Sequence, residues 1–552
     1  MNQNIQYLMK NTNEVSNRIN IFKLYCKLES LNNEHKRFQF FYYIKVCRQF
    51  CVNIHKNFKT DSSMYIYDTG TNKVLNCKKI EYEILKNIVN GNIENITNIK
   101  EQFSEDEFEE SLENIKCAIE SEDILKLGEN GKLFSMGDDI NLYDKLDNGL
   151  EQITLELTER CNLRCGYCIY NDTYEGKRNF GKEDMTEEIA KKAIDYLDKH
   201  GSKKKEIALT FYGGEPLVKF DLIKECIEYS KKVIKDKKLT YSLTTNLVLM
   251  TPEIAKYLYS VKRCSILCSI DGPEDIHNSY RKDINGEGSF SKAIRGLKYL
   301  AEAFGDDIEG LRDRVGFSMV FTPPYSRKKL DEIQEFLDSL EWLPKEMNKT
   351  ITYPSEGSIP MTKSDKENNV PGEMKIERTL TDWSKEKYLE ELKNDNIENF
   401  ITKGMINKLF LLVHNRPILK TSSNVYPHNA CCIPGSRRIY VTTKGDFGIC
   451  ERIDGSPTIG NVFDGINKEK IKDEVIGGFT SESIKVCKSC WAAKLCTLCY
   501  SHCYTDGELN MNKKNSNCGI TRDEILGTLM FYHKCAETNP EGLKYLNDIE
   551  VS

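Results

Sequence analysis

The chain has 552 residues, of which 39% are hydrophobic and 29% charged, values ordinary for a globular protein of about three or four domains. The net charge of −6 is small for this length, and no basic surface for nucleic acid or acidic tail stands out. No run is apolar enough to cross a membrane, and residues 1–20 lack the apolar core of a secretory signal. We therefore expect a cytoplasmic protein without nucleic-acid or membrane partners.

The first 145 residues predict two units ahead of the main domain. Residues 1–59 are predicted as a helical extension, and residues 60–145 as a small module. In the module, the alternation from Met64 to Tyr67 breaks at Asp68-Thr69-Gly70, which predicts a hairpin, and helical periodicity follows. The edge of such a sheet could accept a peptide strand, and a simple N-terminal cap is the alternative.

Residues 146–355 alternate strands and helices, which predicts parallel β/α units. Strands are predicted at 153–157, 206–212, 240–245, 265–270, 315–321 and 351–353. The predicted fold class is therefore α/β, with a partial (β/α)6 barrel similar to a TIM barrel. In barrels of this kind the functional side chains lie at the C-terminal ends of the strands.

The rest of the chain predicts a linker with a helical bridge, 356–430, and a cysteine-rich domain, 431–552. Pro354–Glu373 is rich in Ser, Pro, Gly and charge, as linkers are. Beyond residue 430 we expect short strands and turns with little apolar periodicity. Such a segment is usually held together by its metals.

The 21 cysteines are the most informative feature of the composition. In a reducing compartment they argue for metal ligation rather than disulfides. Three lie within Cys161–Cys168 and ten within Cys431–Cys535, while the other eight are scattered and are predicted to be buried packing residues.

Cys161, Cys165 and Cys168 lie on one short loop after the first predicted barrel strand. A loop that folds back could bring the three thiols around one 4Fe–4S cluster and leave one iron open for a reacting ligand. A zinc site would want a fourth Cys or His nearby, and Asn171 and Asp172 are poor substitutes.

This cysteine spacing, with an aromatic residue before the third cysteine, resembles the radical S-adenosylmethionine (SAM) superfamily over roughly 152–353. Motifs in the order that this superfamily uses follow at Phe211–Pro216, Ser242–Asn246 and Ser269–Gly272. The resemblance implies that Glu215 receives the amino group of SAM and that Tyr167 lies near its adenine. The SAM-binding residues that it implies are Tyr167, Gly213, Gly214, Glu215, Pro216, Ser242, Thr244, Asn246, Ser269, Asp271 and Arg281.

The C-terminal cysteines resemble the SPASM extension of radical SAM enzymes, which holds two auxiliary 4Fe–4S clusters, so three clusters are expected in all. The resemblance assigns one auxiliary cluster to Cys487, Cys490, Cys496 and Cys518. It assigns the other to Cys432 (or its neighbour Cys431), Cys450 and either Cys499 or Cys503, which leaves room for an open iron. Tyr500 stands where the family usually has the next cysteine, and two zinc ribbons are the rival interpretation of this region.

The motifs around Cys432, Cys450 and Cys490–Cys496 resemble SPASM maturases of the sactipeptide and ranthipeptide type. The resemblance implies an oxidoreductase that forms thioether crosslinks in a ribosomally made, cysteine-rich precursor peptide, served by a low-potential flavodoxin or ferredoxin. The module at 60–145 resembles the winged-helix element that binds the leader of such precursors. The alternatives are an anaerobic sulfatase maturase, which makes formylglycine and generally lacks a long N-terminal module, another radical SAM enzyme that crosslinks peptides, and a non-catalytic zinc-binding module.

Overall fold

The fold is taken from a computed structural model. It describes residues 55–89, 95–126, 132–133, 141–170, 180–355, 358–359, 372–397, 399–426, 432–453, 457–505 and 507–549. Most of the predicted helical extension, most of the predicted linker, and Cys431 lie outside these ranges.

The chain first forms a three-stranded antiparallel sheet in the order β1-β2-β3, followed by helices. Its strands are β1 (His55–Lys59), β2 (Met64–Asp68) and β3 (Lys73–Cys77). The helices are α1 (Lys79–Val89), α2 (Asn95–Lys100) and α3 (Glu105–Glu122), with Ser104 and Glu107 forming a capping box at the start of α3. The predicted hairpin is present, but His55–Lys59, predicted as the end of a helical extension, is a strand. We call this unit the N-terminal module.

Two short elements connect the module to the barrel. They are β4 (Lys132–Leu133) and α4 (Leu142–Asn148). Strand β4 pairs in parallel with a short strand nearly 300 residues later in the chain, Val425–Tyr426, so the connection is tied to a distant segment.

The central sheet begins with six parallel strands whose order follows the chain, as in an open β/α barrel. They are β5 (Gln152–Glu156), β6 (Glu206–Tyr212), β7 (Lys238–Thr245), β8 (Cys264–Ser269), β9 (Val315–Val320) and β10 (Asn348–Thr352). Helices α5 (Glu187–His200), α6 (Phe220–Val233), α7 (Pro252–Ser260), α8 (Glu274–Tyr280), α9 (Phe290–Phe304), α10 (Ile308–Arg314) and α11 (Arg327–Asp338) lie between the strands. This arrangement confirms the predicted α/β fold with a parallel sheet, and we refer to it as the barrel.

Two helices bridge the barrel to the C-terminal region, α12 (Gly372–Lys393) and α13 (Phe400–His414). The short strand β11 (Val425–Tyr426), which is the partner of β4, follows them. The central sheet then continues, because β12 (Arg438–Val441) pairs in parallel with β5, on the side of β5 opposite β6. Strands β13 (Asp446–Gly448), β14 (Gly460–Asn461) and β15 (Gly465–Ile466) extend it to ten strands. The barrel and the cysteine-rich segment therefore share one sheet.

The C-terminal segment is more helical than its sequence predicts. A π-helical stretch, Lys470–Gly477, leads into α14 (Gly478–Cys487), and a small hairpin of β16 (Tyr504–Thr505) and β17 (Glu508–Leu509) precedes α15 (Met511–Thr538). Our expectation of short strands and turns throughout was wrong for α15. Its interior positions include Lys514, Thr521 and Thr528, so its sequence carries no apolar stripe.

The main hydrophobic core lies between the central sheet and the barrel helices and runs on under β12 and β13. A separate cluster forms the interior of the N-terminal module. A third cluster joins the module to the C-terminal segment through Phe58, Tyr65, Tyr67, Leu495 and Leu529, among others. Among the described residues, no helix is both long and apolar enough to span a bilayer.

Candidate functional site

Cys161, Cys165 and Cys168 lie on the loop after β5, as predicted. Burial raises the pKa of Cys161 and Cys165 to about 12, and the three thiols lie near enough to influence one another electrostatically. The backbone N–H of Leu163 donates to the Cys161 sulfur over 3.4 Å. Burial disfavours a free thiolate, but a thiolate bound to iron shares its charge with the metal and accepts a hydrogen bond from a backbone N–H. These three cysteines therefore fit a 4Fe–4S cluster.

Gly213 and Gly214, at the end of β6, lie against the backbone that leads into the cysteine loop. Gly213 has φ +141°, and a Cβ on it would overlap the carbonyl oxygen of Thr158. A Cβ on Gly214 would overlap the carbonyl oxygen of Arg160 in the same way. The glycines are therefore required for the packing of these two loops, because only glycine allows so close an approach.

Glu215 is buried and joins the loop after β6 to the loop after β7. Its carboxylate accepts from the Thr245 hydroxyl (2.7 Å), the Asn246 backbone N–H (2.8 Å) and the Leu217 backbone N–H (3.1 Å). Burial raises its pKa to about 6. Since protein donors already engage both oxygens, the implied contact between Glu215 and the amino group of SAM stays a proposal.

Asp271 binds two of the other predicted residues. Its carboxylate accepts from the Tyr167 hydroxyl (2.6 Å), from the Arg281 Nε (2.8 Å) and from the Val320 backbone N–H (2.9 Å). Asp271 and Val320 lie at or next to strand ends, Tyr167 lies on the cysteine loop and Arg281 directly follows α8; Asp271, Tyr167 and Arg281 are buried. Burial opposes the Arg281 charge, but the Asp271 carboxylate outweighs it, so the pKa of Arg281 is raised. A buried ion pair with a tyrosine donor is a rigid anchor beside the cysteine loop.

The remaining predicted residues occupy the same end of the barrel or its interior. Asn246 donates to the Asn162 side chain (2.9 Å), next to Cys161. Ser242 bonds to Thr210 on the adjacent strand (2.8 Å), below the strand ends. Pro216, Thr244 and Ser269 lie at or next to the C-terminal ends of β6, β7 and β8.

Four cysteines of the C-terminal segment, Cys487, Cys490, Cys496 and Cys518, gather near a buried lysine. Lys514 Nζ lies 3.7 Å from the Cys487 sulfur and within electrostatic range of Cys496 and Cys518, Cys490 lies within electrostatic range of Cys487, and a fifth thiol, that of Cys503, also acts on Lys514. A buried ammonium is costly without negative charge around it. Thiolates bound to metal would supply that charge, so this group, which we call the lysine-centred set, fits an auxiliary cluster.

The structure gives Cys499 and Cys503 different surroundings. Cys499 lies near Cys450, close enough for the charge of one to act on the other. Burial would raise the pKa of Cys499, but hydrogen bonds from His502 and Ser501 lower it to about 7. Cys503 is fully buried, donates to the Cys499 carbonyl (3.2 Å) and lies toward the lysine-centred set. Cys432 is exposed at the start of a described range.

Some functional candidates were not among the predicted site residues. Thr245 holds Glu215 from within the motif Ser242–Asn246 without having been singled out there, and Lys514 lies among thiols without belonging to a motif. His533 packs on Phe58 and Tyr65 and hydrogen-bonds to the Leu529 carbonyl, so it is part of the packing rather than of a thiol set. In the described part of the chain, no three Cys, His, Asp or Glu side chains surround a single-ion position.

The chain is similar to known proteins over its barrel. Residues 155–337 match the sequence model of the Radical SAM superfamily. An uncharacterized protein of Methanocaldococcus jannaschii, MJ0907, is 27% identical over 326 residues, which are 59% of this chain and 92% of that protein. A cysteine-type anaerobic sulfatase-maturating enzyme of Clostridium novyi is 32% identical over 27% of this chain, and the match spans only 40% of that enzyme. The solved structure of histidine-tagged anSMEcpe with bound AdoMet has a TM-score of 0.50 and 19% identity, covering 73% of this chain and 96% of that one.

The match of residues 155–337 to the Radical SAM superfamily model, the parallel sheet and the cysteine loop all point to a radical SAM enzyme. They support the coarse prediction of a radical SAM enzyme, while the peptide-maturase subtype stays a prediction and the non-catalytic zinc-binding alternative is not supported. A 4Fe–4S cluster and SAM are the cofactors that the superfamily implies. The solved structure supports the fold alone, since its identity to this chain is low.

Proposed function

We propose that this chain is a radical SAM maturase that forms thioether crosslinks in a ribosomally made, cysteine-rich precursor peptide. The observation that carries the proposal is the proximity of Cys450 and Cys499, which, in the part of the chain that the structure describes, form a second group of thiols beside the lysine-centred set. An auxiliary cluster held by fewer than four cysteines has an iron free for a substrate thiolate. Strand β12, which leads toward Cys450, pairs with the barrel strand that leads to Cys161, so both sites belong to one body.

The chemistry balances for a thioether. When bound, SAM and the reduced cluster supply a 5′-deoxyadenosyl radical. In the net change that bound SAM and cluster would support, a substrate C–H bond would lose one hydrogen atom, which ends in 5′-deoxyadenosine, and the substrate cysteine would lose one proton. Formation of the S–C bond would also release one electron, which an auxiliary cluster held by the C-terminal cysteines would accept, and this balances the electron that a flavodoxin or ferredoxin would supply for SAM cleavage. The peptide product is then two hydrogens lighter.

Three ligand groups follow from this proposal. Cys161, Cys165 and Cys168 hold the SAM cluster, and the lysine-centred set holds one auxiliary cluster. Cys450 and Cys499, together with Cys432, hold the other. We assign Cys499 rather than Cys503 because Cys499 lies near Cys450, whereas the Cys503 thiol is fully buried and bonded to its own loop.

The N-terminal module has a place for the precursor's leader. Strand β2 is paired on both sides, β1 lies against α15, and in the described residues no strand pairs with the outer edge of β3. An extended leader peptide could add to this edge through main-chain hydrogen bonds. The three strands and three helices agree with the winged-helix interpretation, which remains part of the proposal.

The test is anaerobic reconstitution with a synthetic precursor peptide encoded beside this chain, followed by iron analysis and mass spectrometry. Three clusters predict about twelve irons per chain. Replacing Cys161 by Ala should abolish formation of 5′-deoxyadenosine. Cys499→Ala should retain SAM cleavage and lose the crosslink, while the matched variant Cys503→Ala should keep both. SAM cleavage by the Cys161 variant, or a crosslink made by Cys499→Ala, would contradict the assignment.

A second candidate function is formylglycine formation, favoured by the 32% identity to a cysteine-type sulfatase-maturating enzyme within the barrel. The same mass spectra separate the two functions. Formylglycine formation removes the sulfur of a target cysteine, whereas a thioether keeps the sulfur and removes two hydrogens.

A further inference from the structure

The turn that joins β2 to β3 is buried, although hairpin turns usually face water. Asp68, Thr69, Thr71 and Asn72 each have at most 1% of their surface exposed. Gly70 is equally enclosed, since a Cβ on it would overlap the Ser422 hydroxyl. A polar turn with no access to water must satisfy its hydrogen bonds with protein, and the identity of these partners shows what the turn does.

Two of these partners belong to the loop between Cys490 and Cys496. The Thr69 hydroxyl donates to the Trp491 carbonyl over 2.5 Å, and Lys494 Nζ donates to the Gly70 carbonyl over 2.6 Å. The ring of Tyr67 lies edge-on to Trp491, with 6.1 Å between ring centroids. The turn therefore contacts both ends of the segment that separates two cysteines of the lysine-centred set.

The opposite side of the turn is held by the segment after α13. Arg416 Nε donates to the Asn72 carbonyl (2.9 Å), and the Leu419 and Ser423 backbone N–H groups donate to the Thr71 and Gly70 carbonyls (2.8 and 2.9 Å). These contacts leave the turn little freedom to move relative to the cysteine loop.

The turn itself is stiffened from within. The Asp68 carboxylate accepts from the Thr71 backbone N–H and hydroxyl (both 2.7 Å) and from the Leu125 backbone N–H (3.0 Å). Asp68 also lies close enough to Lys494 to offset part of the cost of burying that ammonium group. The N-terminal module thus presents a preformed surface to the loop.

We infer that the buried turn 68–72 is a positioning element for the lysine-centred set: it holds the loop 491–495 so that Cys490 and Cys496 can bind the same iron–sulfur cluster. The module that we propose for leader binding is then also a structural part of an auxiliary site. This inference rests on the proposed function only for the presence of that cluster.

The test compares Thr69→Val and Lys494→Met with the parent chain after anaerobic reconstitution. Each variant removes one hydrogen bond to or from the loop. We expect iron and acid-labile sulfide to fall by about a third, from about twelve irons to about eight, with formation of 5′-deoxyadenosine retained. Thr69→Ser, which keeps the hydroxyl, should restore the full count.

The matched control is Thr60→Val. Thr60 lies in the other turn of the same sheet, between β1 and β2, and donates to Glu537 of α15 over 2.8 Å, so its loss weakens a module contact that is remote from the cysteine loop. It should leave the iron count unchanged. In the cluster-free chain, the amides of 491–495 should exchange with deuterium faster in Thr69→Val than in Thr60→Val.

Full iron content and unchanged exchange in both loop variants would overturn the inference, as would a parent chain that binds only about four irons. If Thr69→Val does not fold, Lys494→Met and the exchange measurement still decide. The iron count does not depend on the product formed, so a failure to crosslink peptides contradicts the proposed function alone.

Discussion

Two glycines with the same sign of φ differ in how much space surrounds them. Gly213 and Gly286 both have positive φ, but a Cβ would overlap the Thr158 carbonyl at Gly213 and meet nothing within 4 Å at Gly286. We expect Gly213→Ala to lose SAM cleavage, because the loop after β6 must move away from the cysteine loop. Gly286→Ala should keep activity and cost about 1–2 kcal/mol, the strain of its backbone conformation alone. Equal activity in the two variants, measured as 5′-deoxyadenosine formed, would argue against this role of Gly213.

The burial of Lys514 among thiols predicts that this residue affects the reduction potential of an auxiliary cluster. It is buried among thiols, so its positive charge should stabilise the more negative, reduced state of a cluster held there. Lys514→Met should therefore lower the reduction potential of one auxiliary cluster, as followed by EPR-monitored titration. The neighbouring Lys513 is exposed, and Lys513→Met is the control, with no change expected.

The site residues divide into those that motifs reveal and those that only the fold reveals. Gly213, Glu215 and Asp271 could be placed at strand ends because each belongs to a short motif, which is a local property of the sequence. The contact between Thr245 and Glu215 could not be predicted, because Thr245 lies on the strand face opposite Ser242 and Glu215 is 30 residues away in the chain.

Helices and strands were predictable where burial imposes a clear period. The barrel strands and the helices between them follow this rule, and the central parallel sheet was predicted on that basis. Strand β1 did not, since His55-Lys56-Asn57-Phe58-Lys59 has no apolar alternation and is extended through its pairing with β2. The helix α15 was missed because lysine and threonine occupy part of its buried face.

The packing of α15 on the first hairpin should make stability depend on pH. His533 packs against the rings of Phe58 and Tyr65, and burial lowers its pKa to about 4. The unfolded chain binds this proton near pH 6.5, the ordinary value for histidine, so the folded state loses stability as the pH falls from about 6.5 toward 4. We expect His533→Phe to reduce this loss, seen as a smaller shift of the urea midpoint between pH 7 and pH 5. An equal shift in both chains would contradict it.

Across the entire chain, the continuous sheet makes the barrel and the cysteine-rich segment one unit, which the predicted boundary at residue 431 did not anticipate. Short strands such as β12 carry too little pattern to be predicted, and the pairing of β12 with β5 joins positions 286 residues apart. Arg438 secures this joint, donating to Gln152 (2.9 Å) and to Glu451 (3.2 Å).

Arg438→Met should therefore lower the free energy of unfolding by about 1–3 kcal/mol, because Gln152 and Glu451 lose their charged donor. Because the sheet is continuous, we expect the variant to unfold in a single transition. The adjacent Arg437 forms a more exposed pair with Glu151, and Arg437→Met should cost less than about 1 kcal/mol. Chemical denaturation followed by tryptophan fluorescence and circular dichroism measures both effects. Separate transitions for the two probes would show that the barrel and the C-terminal segment unfold independently.

The enclosed turn after β2 has a consequence for biosynthesis. The Gly70 carbonyl, which accepts the hydrogen bond from Lys494, leaves the ribosome 424 residues before that lysine does. Asp68 and its neighbours in the nascent hairpin therefore stay in contact with water until residue 494 has been translated. During that interval a chaperone can reach a surface that the folded protein buries.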